Sequence, residues 1–444
     1  MSLRTLLHAL AIASLGLALT ACGGGGGGGS GSSSSGGAGA PAPPPPPTIA
    51  VNYVPIILDG GPPEIVARGG AYNEPFVSVT LCAPGSTTNC QTIDHILLDT
   101  GSVGLRVQAS VLNASLLSAL PVETDASSNP VGECYQFIDG YVFGSVRKTD
   151  FTFGGGQVAG LSIQVIGDSG VFATVPTTCS SSGGSHLNTV SLFGANGVIG
   201  VGVTTTDCGL LCAGSLSQGS AKYYDCPGNG CGNLITRAAS TVAPFEQLPN
   251  PVAAFSSDNN GTIVVLPTVA AGGAATVTGT LYFGIGTQSD NALTGATVIG
   301  TTTSASPHGA GLITTVYNGQ SLVQSFIDSG SSDLFFVDSN ITPCSDPNLK
   351  GYYCPSPPVN LALTIQGQNN VSVSFVQTLN SAQPLLTTTN SAVPGTGYNP
   401  SNNPGFTNTP SSFDLGIPFF FGRRVYTAIE GRAAGGVNGP YVAF

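Results

Sequence analysis

The chain has 444 residues, more than one hydrophobic core usually organises, so two compact units of similar size behind a leader are expected. Charged residues make up only 7%, and Gly, Ser, Thr, Val and Pro are abundant, which predicts short β-strands and many turns with helix in the minority. Eleven Lys and Arg against 22 Asp and Glu give a net charge of -11, which excludes a phosphate-tracking surface and with it nucleic acid as a partner.

Residues 1–21 read as an export signal: Arg4 supplies the positive start, Leu6 to Leu19 a short apolar stretch, and Leu19-Thr20-Ala21 a small-residue ending before Cys22. That ending resembles a bacterial lipobox. The resemblance implies cleavage before Cys22 and acyl chains on its sulfur, so that contact with the membrane is through a lipid anchor only. Gly23 in the next position resembles the pattern that sorts lipoproteins to the outer membrane of a bacterial envelope, facing the periplasm or the cell surface. Residues 22–48 run from polyglycine through Ser/Gly to Pro-rich sequence, which cannot bury a core and reads as a tether.

From about Ile49 strand-like runs follow one another to the end, in a first unit (49–250) and a second (251–444). In chain order they include Phe76 to Leu81, Ile93 to Leu98, Tyr141 to Phe153, Gly197 to Val203, Thr262 to Leu266, Thr280 to Phe283, Leu361 to Ile365 and Val371 to Val376. No dinucleotide or phosphate-loop fingerprint lies between them, so no cofactor is expected. Of 11 cysteines, ten remain once Cys22 is set aside, an even number for an oxidising compartment. Cys82 with Cys90 and Cys344 with Cys354 each bracket a short loop. Cys208, Cys212, Cys226 and Cys231 crowd another that holds two bridges of open connectivity, and Cys134 is left for Cys179. The four clustered cysteines lack the close pairs of a zinc site, and no metal is expected.

One segment repeats. Ile96-Leu-Leu-Asp99-Thr-Gly-Ser-Val-Gly-Leu-Arg-Val107 is echoed by Ser325-Phe-Ile-Asp328-Ser-Gly-Ser-Ser-Asp-Leu-Phe-Phe336, with the aspartates 328 - 99 = 229 residues apart, the separation two homologous units produce. Each is an apolar strand, an Asp-Thr/Ser-Gly-Ser turn and a second apolar strand, which puts a carboxylate at a loop tip where glycine admits a partner backbone. Two such tips facing each other share one proton, because like charges at contact cannot both ionise. One carboxyl is then base to a water and the other acid to a carbonyl oxygen. A third triplet, Asp168-Ser-Gly170, follows Gly167 and not an unbroken apolar strand, and reads as a turn remote from the pair. It also has the look of a serine-protease nucleophile turn, but His95, His186 and His308 lack the surroundings that chemistry needs.

On these residues the sequence resembles the pepsin family of aspartic endopeptidases, over most of Ile49 to Phe444. Glu74 to Thr80 resembles the family's opening strand, Gly140 to Gly155 the flap hairpin with the strand leaving it, and Asn196 to Gly202 the segment completing the first motif. Asp414 to Ile429 resembles its closing segment. The resemblance implies an all-β, two-lobed fold with an interlobe cleft, a peptide or protein substrate, and catalysis by Asp99 and Asp328. Thr100 and Ser329 then brace the two loops, and Ser102 and Ser331 donate to the outer carboxylate oxygens. The flap tyrosine falls on Phe137, with Tyr135 and Tyr141 nearby to replace it. The family's aromatic residue closing the first motif is Arg106, and an aliphatic before its last apolar-Gly pair is Asp414. The whole chain also resembles bacterial lipoproteins grouped only as a family of unknown function. The alternative function is a non-catalytic lipoprotein of this fold, binding peptide or envelope polymer in the cleft.

Overall fold

In the computed structural model, residues 51–444 are described apart from 182, 215–219, 229, 241, 307, 308 and 403–410; the export signal, Cys22 and the tether to residue 48 lie outside the described residues. Among the described residues regular structure is mostly strand, in a 16-stranded sheet, a seven-stranded sheet and a two-stranded ribbon, with short helices between. The all-β class read from composition is borne out. No α-helix among the described residues exceeds the six residues of Ala114–Ala119, and none is long and apolar enough to cross a membrane.

Side-chain alternation decides which strands face water. Tyr53–Leu58 alternates exposed and buried residues, Val54, Ile56 and Leu58 entering the core. By contrast Val103–Gln108 and Gly197–Val201 are buried along their whole length. The unbroken apolar run of Gly197–Val201 suits a strand covered on both faces.

Tyr53–Leu58 pairs over all six residues with Val277–Phe283, which lies in the second half of the chain. Through that contact the large sheet continues into Gly261–Val265, Arg424–Ala428 and Tyr441–Ala443. The seven-stranded sheet is drawn from residues 313–415 alone.

The two motif segments are built alike. In the first half, Cys90–Asp99 runs parallel to Gly197–Val201, which pairs antiparallel with Val103–Gln108. In the second, Gln320–Ile327 runs parallel to Asp414–Leu415, which pairs antiparallel with Leu334–Phe335. Glycine closes both: a Cβ on Gly200 would meet the Val103 nitrogen at 2.4 Å, and one on Gly416 the Asp333 carbonyl oxygen at 2.2 Å.

Most strands extend beyond the apolar runs read from sequence. Cys90–Asp99 starts three residues before Ile93 because the Cys82–Cys90 bridge closes its hairpin with Phe76–Cys82. Ser372–Leu379 runs past Val376 because its ladder with Val359–Gln366 continues along a half-exposed face. The opening strand begins at Phe76, leaving Glu74 in a loop. Ten cysteines form five bridges: Cys82–Cys90, Cys134–Cys179, Cys208–Cys212, Cys226–Cys231 and Cys344–Cys354. The cluster thus resolves into two short local pairs.

Candidate active site

Asp99 is the last residue of its strand and Asp328 follows directly on Ile327, so each carboxylate stands where a parallel pair of strands ends and a turn begins. The turns lock together by exchanged hydrogen bonds. The Ser329 amide donates to Thr100 Oγ1 at 2.9 Å, the Thr100 amide donates to Ser329 Oγ at 3.1 Å, and Ser329 Oγ donates to the Leu98 carbonyl at 2.8 Å. All of Thr100 and Ser329 is buried, so these bonds form away from water and fix the turns rigidly.

Each carboxylate is then aimed by its own turn. Asp99 Oδ1 accepts from the Gly101 and Ser102 amides at 2.7 and 3.0 Å, and its Oδ2 from Ser102 Oγ at 2.5 Å. Asp328 Oδ1 accepts from the Gly330 amide at 2.7 Å and across the interface from the Gly101 amide at 3.1 Å. Its Oδ2 accepts from Ser331 Oγ at 3.1 Å. Thr100 and Ser329 thus link the two turns, while Ser102 and Ser331 each meet the Oδ2 of the aspartate in their own turn.

Asp328 keeps part of its surface open to the cleft, yet the surrounding protein desolvates the carboxyl. Burial, then the Asp99 charge and the Asp414 charge, hold its pKa well above the usual carboxylate range. Burial does the same to Asp414, aided by Asp99 and Asp333 and opposed by the Ser331 hydrogen bond, and burial raises Asp333 as well. The site thus holds more acid than the two motif aspartates. Asp333 Oδ2 accepts from Tyr72 at 3.0 Å, and Tyr72 meets Tyr352 at 2.5 Å.

A cleft of ≈ 420 Å³ opens over the pair, lined by Asp99, Asp328, Tyr135, Phe137, Phe193 and Glu74 among others. A second cavity of ≈ 900 Å³ adjoins it, sharing Gly101, Ser102, Tyr135 and Gln136. Phe137 packs on Tyr135 and Phe193 with ring centroids 4.8 and 5.8 Å away. Of the two tyrosines offered in its place, Tyr135 lines the cleft. Tyr141 does not: it lies opposite Gln136 in the hairpin register, not Tyr135, which puts it on the other face, stacked 5.0 Å from His186.

Arg106 explains how Tyr135 is held. Its guanidinium lies 3.7 Å from the Tyr135 ring centroid, and its Nη2 donates to Glu133 at 2.6 Å and Asp207 at 3.0 Å, all three ionic side chains being fully buried. Burial opposes the Arg106 charge, but Glu133 and Asp207 carry its pKa upward. Neither acid stands out in the sequence. Asp333 and Glu74 escape a sequence reading too, although Asp333 sits inside the repeat, five residues after Asp328. Asp168 is outside the cleft, accepting from Ser145 Oγ at 2.5 Å and Arg147 Nη2 at 2.7 Å.

The family model described as "Protein of unknown function (DUF3443)" matches residues 48–444. No curated protein matches the chain. Among solved structures, the crystal structure of aspartic proteinase from Irpex lacteus is similar with a TM-score of 0.48 and 16% identity, over 88% of this chain and 96% of that one.

Proposed function

The chain belongs to the DUF3443 family of unknown function, and for this member we propose the activity of an aspartic endopeptidase with a pepsin-like, two-lobed plan, worked by Asp99 and Asp328. The observation that carries the reading is the exchange of hydrogen bonds between Thr100 and Ser329, which sets two carboxylates with matching donor shells against each other. Of the two carboxyls one stays protonated, because two buried like charges at contact cannot both ionise. The ionised partner takes a proton from a water held between them, and the water oxygen bonds to the carbonyl carbon of a peptide lying in the cleft. At the same time the protonated partner gives its proton to the carbonyl oxygen. Breakdown of the resulting diol breaks the C–N bond, returns a proton to the dyad from the diol and delivers one to the leaving amine. Tyr135, braced by Arg106, takes the flap position, and Phe137 supplies an apolar wall beside it. The lipobox-like ending at Cys22 supports an envelope membrane as the site of this activity, with the catalytic unit held off it by the Gly/Ser/Pro tether.

A statine-type analogue, which carries a tetrahedral hydroxyl in place of the scissile carbonyl, tests the reading directly, since tight binding demands a correctly built dyad. Titration calorimetry is expected to show binding that Asp99→Asn and Asp328→Asn each abolish. Failure of a panel of such analogues to bind, with peptide binding intact, favours a cleft that holds peptide without cleaving it.

A further inference from the structure

The two halves differ at one position beside the dyad. Val198 lies opposite Leu97 in the first half, and in the matching register of the second half Asp414 lies opposite Phe326. A carboxyl therefore stands where the other half carries an aliphatic. Asp414 is buried, and Ser331 Oγ lies 2.6 Å from its Oδ2 and 3.1 Å from Asp328 Oδ2.

A serine hydroxyl has one proton. It cannot donate to both acids, so for both contacts to be hydrogen bonds one acid must donate its own proton to Ser331 Oγ. Asp328 Oδ1 accepts from two amides, and its Oδ2 faces Ser331 Oγ as an acceptor. Asp414 has no such donors on its far oxygen: its Oδ1 is buried and has no hydrogen-bond partner. An ionised Asp414 would spread charge onto an unsolvated oxygen, which is far costlier than leaving a neutral carbonyl there. The titratable groups around it are Asp99, Asp328 and Asp333, with Tyr72 and Tyr352 behind Asp333 and Glu74 on the cleft wall. Among the described residues no Lys, Arg or His pairs with any of the four aspartates.

We propose that Asp414 is a proton-holding positioning residue: neutral Asp414 donates to Ser331 Oγ, Ser331 donates to Asp328 Oδ2, and loss of the Asp414 proton closes the working pH range on its alkaline side. This rests on the peptidase reading. When Asp414 ionises, the serine proton turns toward it, Asp328 loses its outer donor, and a second negative charge faces the dyad. Two protons then leave over the alkaline limb. The upward displacement of the Asp414 pKa by burial and by its acidic neighbours agrees with a proton kept well above the usual range.

The test has a readout that needs no turnover. Infrared difference spectra of wild type against Asp414→Asn near pH 6 are expected to show the carbonyl stretch of a buried, protonated acid lost in the variant; a lost carboxylate band instead overturns the proposal. Kinetics then probe its role. Asp414→Leu is expected to lower kcat about tenfold with little change in KM, because Ser331 loses the donor that holds its hydroxyl toward Asp328, and Asp414→Asn, whose amide still donates, to recover most of that loss. The alkaline limb of log kcat is expected to fall with slope two in wild type and slope one in Asp414→Asn. Equal slopes, or Asp414→Leu with wild-type kcat, overturn the positioning role. Ser331→Ala serves if either Asp414 variant fails to fold, and is expected to reproduce the Asp414→Leu loss. Wild type that binds no analogue and cleaves nothing sinks the peptidase reading, while the infrared result still decides where the proton lies.

Discussion

Gly101 is in contact with the carboxyl of Asp328: a Cβ on Gly101 would stand 2.7 Å from Asp328 Cγ, closer than such atoms approach. The relation is reciprocal, since a Cβ on Gly330 would stand 2.8 Å from Asp99 Cγ. Neither glycine has a left-handed backbone, so each is required for the approach of the opposite acid and not for its own conformation. Gly101→Ala and Gly330→Ala are expected to push the opposing carboxylate aside and lower kcat by about a hundredfold, the scale of a 1 Å misplacement. Steady-state kinetics beside a thermal melt check this; a folded Gly101→Ala enzyme with wild-type kcat contradicts it.

The buried Arg106 holds two acids and the Tyr135 ring. Arg106→Met is expected to cost about 3–5 kcal/mol in stability, because Glu133 and Asp207 are left without a counter-charge. Denaturant unfolding measures it, and a loss below about 1 kcal/mol contradicts the geometry.

Stability is expected to fall as pH rises above the ordinary carboxylate range. The pKa values of Asp328, Asp414 and Asp333 are all raised in the folded state, so between their unfolded and folded values the native chain binds more protons than the unfolded one. The slope of stability against pH is then negative, and every tenfold gain in proton affinity on folding costs about 1.4 kcal/mol once both states are ionised. Asp414→Asn removes one such group and is expected to melt higher than wild type at neutral pH, and by less at pH 4. An equal gain at both pH values refutes the assignment.

Cys22 is expected to carry acyl chains. Metabolic labelling with palmitate checks it: label in the wild type and none in Cys22→Ala supports the anchor, whereas an unlabelled wild type removes it.

The dyad was legible because both members of the pair sit in one repeated string of short-range signals, strand, Asp-Thr/Ser-Gly-Ser, strand, and because alternation and turn residues are local. The disulfides Cys82–Cys90 and Cys344–Cys354 were legible because each pair brackets its own loop, and Cys134–Cys179 because those two cysteines remained, whereas four crowded cysteines left Cys208–Cys212 and Cys226–Cys231 open. What could not be read were contacts between distant residues. Tyr53–Leu58 shows a strand pattern, but nothing in it names Val277–Phe283 as partner. Arg106 stands out in an apolar run, while Glu133 and Asp207 lie 27 and 101 residues away, ordinary in their own surroundings. Tyr135 and Tyr141 both lie close to Phe137 in sequence, and only the hairpin register puts them on different faces. Asp414 was visible as a carboxyl among apolar neighbours, but its contact with Ser331, 83 residues away, required the fold.

The most direct measurement is peptide cleavage by purified protein across acid to neutral pH, with Asp99→Asn, Asp328→Asn and the double variant alongside. Residues acting as one unit lose activity together, so each single variant is expected to fall to background and the double variant to be hardly worse. Asp168→Asn, outside the cleft, is expected to keep the turnover of its folded fraction. The wild-type profile is expected to fall on both sides of its optimum, as removal of the shared proton takes away the acid and addition of a second takes away the base. Wild-type turnover by Asp99→Asn, or no cleavage of a diverse peptide library by the wild type at any pH, would contradict the proposed peptidase.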